Sequence, residues 1–294
     1  MNLNQLKYFQ AICTYQTASA AAEYLHISQP SLSNAIKELE QEFGVTLFHR
    51  RHRGMELTAE GEVLLKLAKD LLNRAEHMEQ VMHDLGSERK KLRLGVPPMI
   101  GSLLLPYIYR EFLAENPEIQ LDITECGRHE LLDRLSDDFL DMVFLPHNRV
   151  LGQEYSMLQA ASLEIVCCAS KESKLADMKT ISASDLADAP LVLFKDSFYQ
   201  TEEIKKWFAL SGIKPNIILQ TEQLSTVQSI ISHNAASGFL FRQLIEASTD
   251  LMPIPTETPI FVNVSLVWKS DAYFFNSMKK LRKYILEKNP FAKF

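Results

Sequence analysis

The chain has 294 residues, 46 % of them hydrophobic and 23 % charged, with a formal net charge of −6. That composition excludes a disordered or low-complexity chain and gives room for two or three domains with a buried core. The acidic balance excludes a globally basic nucleic-acid binder: residues 1–90 hold 10 Lys and Arg against 12 Asp and Glu, so any basic footprint must be local. Met1-Asn2-Leu3-Asn4-Gln5 does not open a signal peptide, and no apolar run approaches the roughly 18 residues of a membrane span. Cys13, Cys126, Cys167 and Cys168 lack Cys-x-x-Cys spacing. The expectation is a cytoplasmic protein with reduced core thiols, no metal site, no cofactor and no membrane partner.

Leu3, Leu6, Phe9 and Ile12 mark a first amphipathic helix. An Ala-rich run, Ala18 to Leu25, then has high helix propensity and breaks at His26-Ile27-Ser28. A second helix follows with Ser28 as its N-cap and Pro30 in its first turn, where the missing N–H costs nothing. Leu32, Ala35, Ile36 and Leu39 form its apolar stripe, which leaves Gln29, Ser31, Ser33, Asn34 and Lys37 on the outer face. Small Ala21 and Ala22 let the two helices cross closely, as in a helix-turn-helix whose second helix can enter a major groove. Thr46-Leu47-Phe48 and Met55-Glu56-Leu57 then flank a basic tip closed by Gly54, the pattern of a hairpin wing. The candidate DNA contacts are Ser28, Gln29, Pro30, Ser31, Ser33, Asn34 and Lys37 from the helix, and Arg50, Arg51 and Arg53 from the wing.

From Thr58 a long helix runs to about Gly86. Leu64, Ala68, Leu71, Ala75, Met78, Met82 and Leu85 fall at four- and three-residue steps, which describes a coiled-coil seam. The alternative is one helix packing on its own domain. Ser87-Glu88-Arg89-Lys90-Lys91 reads as a charged hinge.

The pattern Ala-Ala-Ala-x-x-Leu-x-Ile-Ser-Gln-Pro-Ser-Leu-Ser-x-x-Ile-x-x-Leu-Glu, followed by Gly-Val-x-Leu-Phe-x-Arg and Leu-Thr-x-x-Gly, resembles the LysR-type transcriptional regulators. The likeness spans Leu3 to about Leu85 and continues more weakly through the last two thirds. Gln16-Thr17 stands where that family often has Gly-Ser. The resemblance implies a homodimer through antiparallel linker helices, a homotetramer through further pairing, and double-stranded DNA as partner.

Beyond the hinge, Leu92–Val96, Ile119–Thr124 and Asp141–Leu145 read as strands, alternating with helices through Leu104–Phe112 and Leu131–Leu135. A second unit follows: strand Glu164–Ala169, strand Leu191–Phe194, helix Glu202–Leu210, strand Ile217–Leu219, helix Leu224–His233, strands Gly238–Phe241 and Val262–Trp268, and a last helix Ala272–Lys288. The fold class is α/β, and the layout resembles a two-lobed periplasmic binding protein. The expected domains are a winged helix-turn-helix at 1–58, a linker helix at 59–87, and an effector-binding domain at 91–294. Lobe I takes about 91–161 and 267–294, and lobe II about 162–266.

There is no Gly-x-Ser-x-Gly, His-Glu-x-x-His or phosphate loop, so no enzyme chemistry is expected. Ligand space should lie beyond the carboxyl ends of the strands. That rule nominates Pro98, Met99 and Ile100, then Gly127 and Arg128, then Phe194, Asp196, Ser197, Phe198 and Tyr199, and finally Phe241 and Arg242. In the family the turns at Met99 and Arg128 tend to touch the effector. Arg128 at a helix start favours a small organic anion, its alternative being an ion pair with Glu130. Phe194 fits the core as well as the cleft. The function expected is a ligand-responsive bacterial transcription factor; the alternative is a sensor whose helix-turn-helix no longer binds DNA.

Overall fold

A computed structural model describes residues 1–51, 54–85, 91–148, 151–246 and 248–293. They form two compact units, Met1–His83 and Asp84–Phe294.

The first unit contains α1 (Leu3–Tyr15), α2 (Ala18–Tyr24), α3 (Gln29–Phe43), the hairpin β1 (Phe48–Arg51) and β2 (Gly54–Leu57), and α4 (Ala59–Leu85). Each helix starts on a polar cap. Asn2 and Gln5 exchange the two bonds of a capping box on α1, Thr17 accepts from the Ala20 N–H, and Ser28 accepts from the Ser31 N–H. Leu6, Phe9, Ile12, Ala21, Ala22, Leu32, Ile36 and Leu39 close one core with Leu47 and Phe48. The first turns of α4 complete it: Ala68 is buried, with Leu64, Leu65 and Leu72 packed beside it.

This corrects the expected seam. Leu64 and Ala68 face their own domain, whereas Val63, Leu67, Leu71, Met78 and Met82 are exposed. Helix α4 carries two adjacent apolar stripes, and a single periodicity count merged them. Leu85 reaches the helix end, but its side chain lies outside the described residues, as do Ser87–Lys90 of the expected hinge.

The second unit has one sheet of nine strands: β3 (Lys91–Val96), β4 (Gln120–Glu125), β5 (Met142–His147), β6 (Tyr155–Ser170), β7 (Pro190–Phe194), β8 (Asn216–Thr221), β9 (Ser237–Phe241), β10 (Leu251–Ile254) and β11 (Ile260–Lys269). Its order is β4-β3-β5-β11-β6-β9-β7-β8, with β10 on β6. Strands β4, β3 and β5 are parallel and make one lobe; β9, β7 and β8 are parallel and make the other. The long antiparallel pair β6 and β11 joins them, from Tyr155↔Lys269 to Ile165↔Ile260. A strand of 16 residues replaces the expected Glu164–Ala169, because β6 serves both lobes and shows no single burial period.

Around the sheet lie α5 (Pro98–Tyr107), α6 (Leu113–Glu115), α7 (Arg128–Ser136), α8 (Tyr199–Leu210), α9 (Leu224–Ser232), α10 (Arg242–Glu246) and α11 (Asn276–Lys288). Between α5 and α6 the chain makes a π turn over Ile108–Phe112, where the Leu113 N–H returns to the Ile108 carbonyl. Pro106 just before it lacks a donor, which breaks the regular ladder of the expected continuous helix. Helix α8 starts earlier than expected and α11 later, at Asn276 rather than Ala272. Arg93 and Asp141 form a buried ion pair at 2.8 Å, and the Asp141 carboxylate also takes the Arg93 N–H at 2.8 Å. This fixes the start of β5 beside β3.

Candidate functional site

The outer face of α3 is built by its cap. Ser28 Oγ accepts from Ser31 N at 3.2 Å and lies 2.7 Å from Ser31 Oγ, which fixes the first turn. Gln29 Nε2 reaches Ser33 Oγ at 3.4 Å one turn later. Ser28, Gln29, Pro30, Ser31, Asn34 and Lys37 are exposed and Ser33 is half-buried, so each of the seven helix candidates is reachable from solvent. A hollow of about 270 Å³ runs from Gln29, Ser33 and Lys37 to Gly54 and Met55 of the wing. The wing is tied down by Met55, whose N–H donates to the Gln16 carbonyl at 2.9 Å. The backbone of Arg50 and Arg51 lies in β1; their side chains, and Arg53 altogether, lie outside the described residues.

In the second unit the two lobes meet at Gly127 and Ser197. A Cβ on Gly127 would stand 2.9 Å from the Ser197 carbonyl oxygen, so only glycine allows this approach. On one side of the contact lies a cavity of about 510 Å³, walled by Pro98, Ser102, Glu125, Cys126, Phe198 and the segment Glu222–Ser225 with Gln228. Its wall carries two carboxylates and neither Lys nor Arg. Lys195 neutralises Glu222 at 2.9 Å, while Glu125 makes no hydrogen bond or ion pair with a described residue. On the other side lies a pocket of about 230 Å³ lined by Arg128, Asn148, Tyr199, Glu202 and Lys206.

Of the effector candidates, Pro98 and Phe198 border the larger cavity, Arg128 and Tyr199 the smaller pocket, and Ser197 meets Gly127. Met99, Ile100 and Phe241 are core residues, each 1 % exposed. Met99 and Ile100 follow a strand end and Phe241 closes β9, yet all three side chains are buried. Phe194 also packs in the core, with its ring 5.2 Å from that of Phe198. Arg242 is taken by Glu164 at 2.7 Å, and Asp196 by Lys205 at 2.6 Å.

Arg128 does not pair with Glu130, which Arg134 holds at 2.7 Å. Its guanidinium instead stacks 4.9 Å over the Tyr199 ring, and its Nε is shielded from solvent without a hydrogen-bond partner. Burial, then the nearby Glu203, raises the Tyr199 hydroxyl above its ordinary range. Burial, then Glu130, pushes the Cys126 thiol up to about 11, which disfavours the reactive thiolate. Sequence reasoning missed Ser102, Glu125, Asn148, Glu202, Lys206 and the Glu222–Gln228 segment. The segment follows the carboxyl end of β8, so the strand-end rule that found Phe198 would have found it too.

A winged helix-turn-helix followed in the chain by a two-lobed α/β domain with an interlobe cleft defines a ligand-responsive DNA-binding regulator. The LysR substrate binding domain matches residues 85–290, and the bacterial regulatory helix-turn-helix of the lysR family matches residues 3–62. The chain belongs to the LysR family of transcriptional regulators. The HTH-type transcriptional regulator YwbI of Bacillus subtilis (strain 168) is 26 % identical over 279 residues, covering 93 % of this chain and 92 % of that one. The hydrogen peroxide-inducible genes activator of Haemophilus influenzae is 25 % identical, covering 82 % and 80 %. Among solved structures, full-length CbnR complexed with its target DNA superposes with a TM-score of 0.76 at 22 % identity, over 97 % of this chain and 99 % of that one. DNA and an effector are therefore the partners of this chain, and no helix among the described residues is long and apolar enough to cross a membrane.

Proposed function

We propose that this regulator works in the cytoplasm without catalysing a reaction, as an oligomer paired through α4. It reads its operator with Gln29, Ser31, Ser33, Asn34 and Lys37 of α3 and with the basic wing, and a small molecule bearing a carboxylate, held between the lobes, alters those contacts. The observation that carries the DNA assignment is the exposed start of α3, where Gln29, Ser31, Asn34 and Lys37 offer polar side chains to a groove. The observation that carries the effector class is Arg128, a guanidinium in the cleft with a shielded, unpartnered Nε. The larger cavity suits the carboxylate less, since an anion there would face Glu125 and Glu222.

Footprinting on the chain's own promoter region tests the first part. Gln29→Ala or Ser33→Ala should each cost about 1–3 kcal/mol where a base contact is lost, and affinity should fall steeply with salt. Unchanged binding in both variants, with the fold intact, would remove α3 from the reading role.

A further inference from the structure

We infer that the smaller pocket takes a zwitterion, a small α-amino acid or close analogue, with its carboxylate on Arg128 and its ammonium on Glu202. The inference rests on the reading of the interlobe cleft as the effector site and names the charge pattern of its ligand.

Among the described residues three charged groups line the pocket, Arg128, Glu202 and Lys206, with Glu203 bound to the last of them. Lys206 is bound to Glu203 at 2.6 Å. Glu203 also takes the Asn148 amide at 3.2 Å. Asn148 is otherwise satisfied: it donates to the Phe261 carbonyl at 3.0 Å and accepts from the Asn263 N–H at 3.3 Å. Among the described lining residues this leaves one cation and one anion without a hydrogen-bonded partner, Arg128 and Glu202. The Arg128 side chain makes no hydrogen bond to a described residue, its Nε is buried away from water, and its guanidinium carbon lies 4.9 Å over the Tyr199 ring. The Glu202 side chain makes no hydrogen bond or close ion pair with a described residue; Lys206, one turn further along α8, acts on it only through space, since its ammonium is bound to Glu203.

A half-buried charge without a partner is costly, and the cost differs for each class of ligand. A plain carboxylic acid would satisfy Arg128 but bring a second negative charge against Glu202. A plain amine would satisfy Glu202 and leave Arg128 unpaired. A molecule with both charges on adjacent atoms satisfies both, and a pocket of about 230 Å³ limits it to a small body. The two ends also come from different lobes. Arg128 begins α7 beside β4, whereas Glu202 lies in the first turn of α8. A bound zwitterion would therefore tie one lobe to the other, next to the Gly127–Ser197 contact.

The full chain should be screened by thermal shift against the twenty common L-amino acids. The best binder is then titrated calorimetrically beside its des-amino acid and its decarboxylated amine. Both analogues should bind at least about tenfold more weakly, the loss of one charge-assisted bond. Arg128→Met should weaken the amino acid by roughly 10- to 100-fold. Glu202→Gln should weaken the amino acid but not the des-amino acid, a split that general damage to the fold would not produce. Equal affinity for the des-amino acid, indifference to Glu202→Gln, binding untouched by both variants, or no amino acid bound would each overturn the inference. Promoter binding by the same chain is measured alongside; its loss would instead strike at the regulator reading.

Discussion

Gly127 of one lobe lies so close to Ser197 of the other that a Cβ at 127 would stand 2.9 Å from the Ser197 carbonyl oxygen and 3.1 Å from its Oγ. The nearest obstacle is backbone, which cannot rotate away as a side-chain tip can. Gly127→Ala should therefore wedge the lobes, destabilising the second unit by about 1–3 kcal/mol and weakening the effector. Ser197→Gly in the same chain should not rescue it, since the carbonyl remains. Urea unfolding and effector titration check this; full rescue by Ser197→Gly would place the obstacle in the side chain instead.

Gln16 ends α1 with φ of 60°, in the left-handed region where a side chain is strained. Its carbonyl takes the Met55 N–H, so the turn that carries the strain also anchors the wing. Gln16→Gly should relieve the turn and raise stability by about 0.5–1 kcal/mol, with DNA affinity kept. A fall in melting temperature would mean that the Gln16 side chain contributes more than its backbone costs.

Local signals were legible in the chain and long-range ones less so. Ser28, Pro30 and the stripe Leu32–Ile36–Leu39 announce α3 because capping and periodicity act within a few residues, and α3 runs Gln29–Phe43. The strand-end rule located the cleft through Pro98, Phe198 and Tyr199. It could not say that Met99, Ile100 and Phe241 point into the core, because the direction of a turn's side chains depends on what packs beneath it. Nor could spacing pair Arg128 with Tyr199 on the opposite lobe, 71 positions on, or assign Glu130 to Arg134 rather than to Arg128.

Cys126 borders the larger cavity, yet its thiol is held at about 11 against an ordinary 9.0, by burial first and Glu130 second. Both causes favour the neutral form, so the thiolate fraction at pH 8 is about 100-fold below that of an ordinary thiol. Iodoacetamide should alkylate Cys126 correspondingly slowly, with a rate that rises as pH climbs toward 11. Peroxide at neutral pH should leave promoter binding unchanged. The relative from Haemophilus influenzae is named for induction by peroxide, which makes the comparison direct. Fast labelling at pH 7, measured by mass spectrometry, would show that the thiol escapes its surroundings.

The two stripes of α4 make opposite predictions for residues one position apart. Ala68 is 1 % exposed in the core with Leu6, Phe9 and Leu39, whereas Leu67 is 58 % and Leu71 41 % exposed. A carboxylate at Ala68 would be buried without a partner, so Ala68→Asp should unfold the first unit, at a cost of several kcal/mol. Leu67→Asp with Leu71→Asp places its charges in water in a single chain and should leave the helix content of that unit unchanged. If the outer stripe joins two copies, the same pair buries two charges in each partner's seam and should give monomers that bind the operator weakly. Sedimentation velocity together with circular dichroism separates the cases. Folded Leu67→Asp/Leu71→Asp protein that stays oligomeric and binds DNA normally would remove α4 as the dimer interface, and folded Ala68→Asp protein would contradict the core assignment.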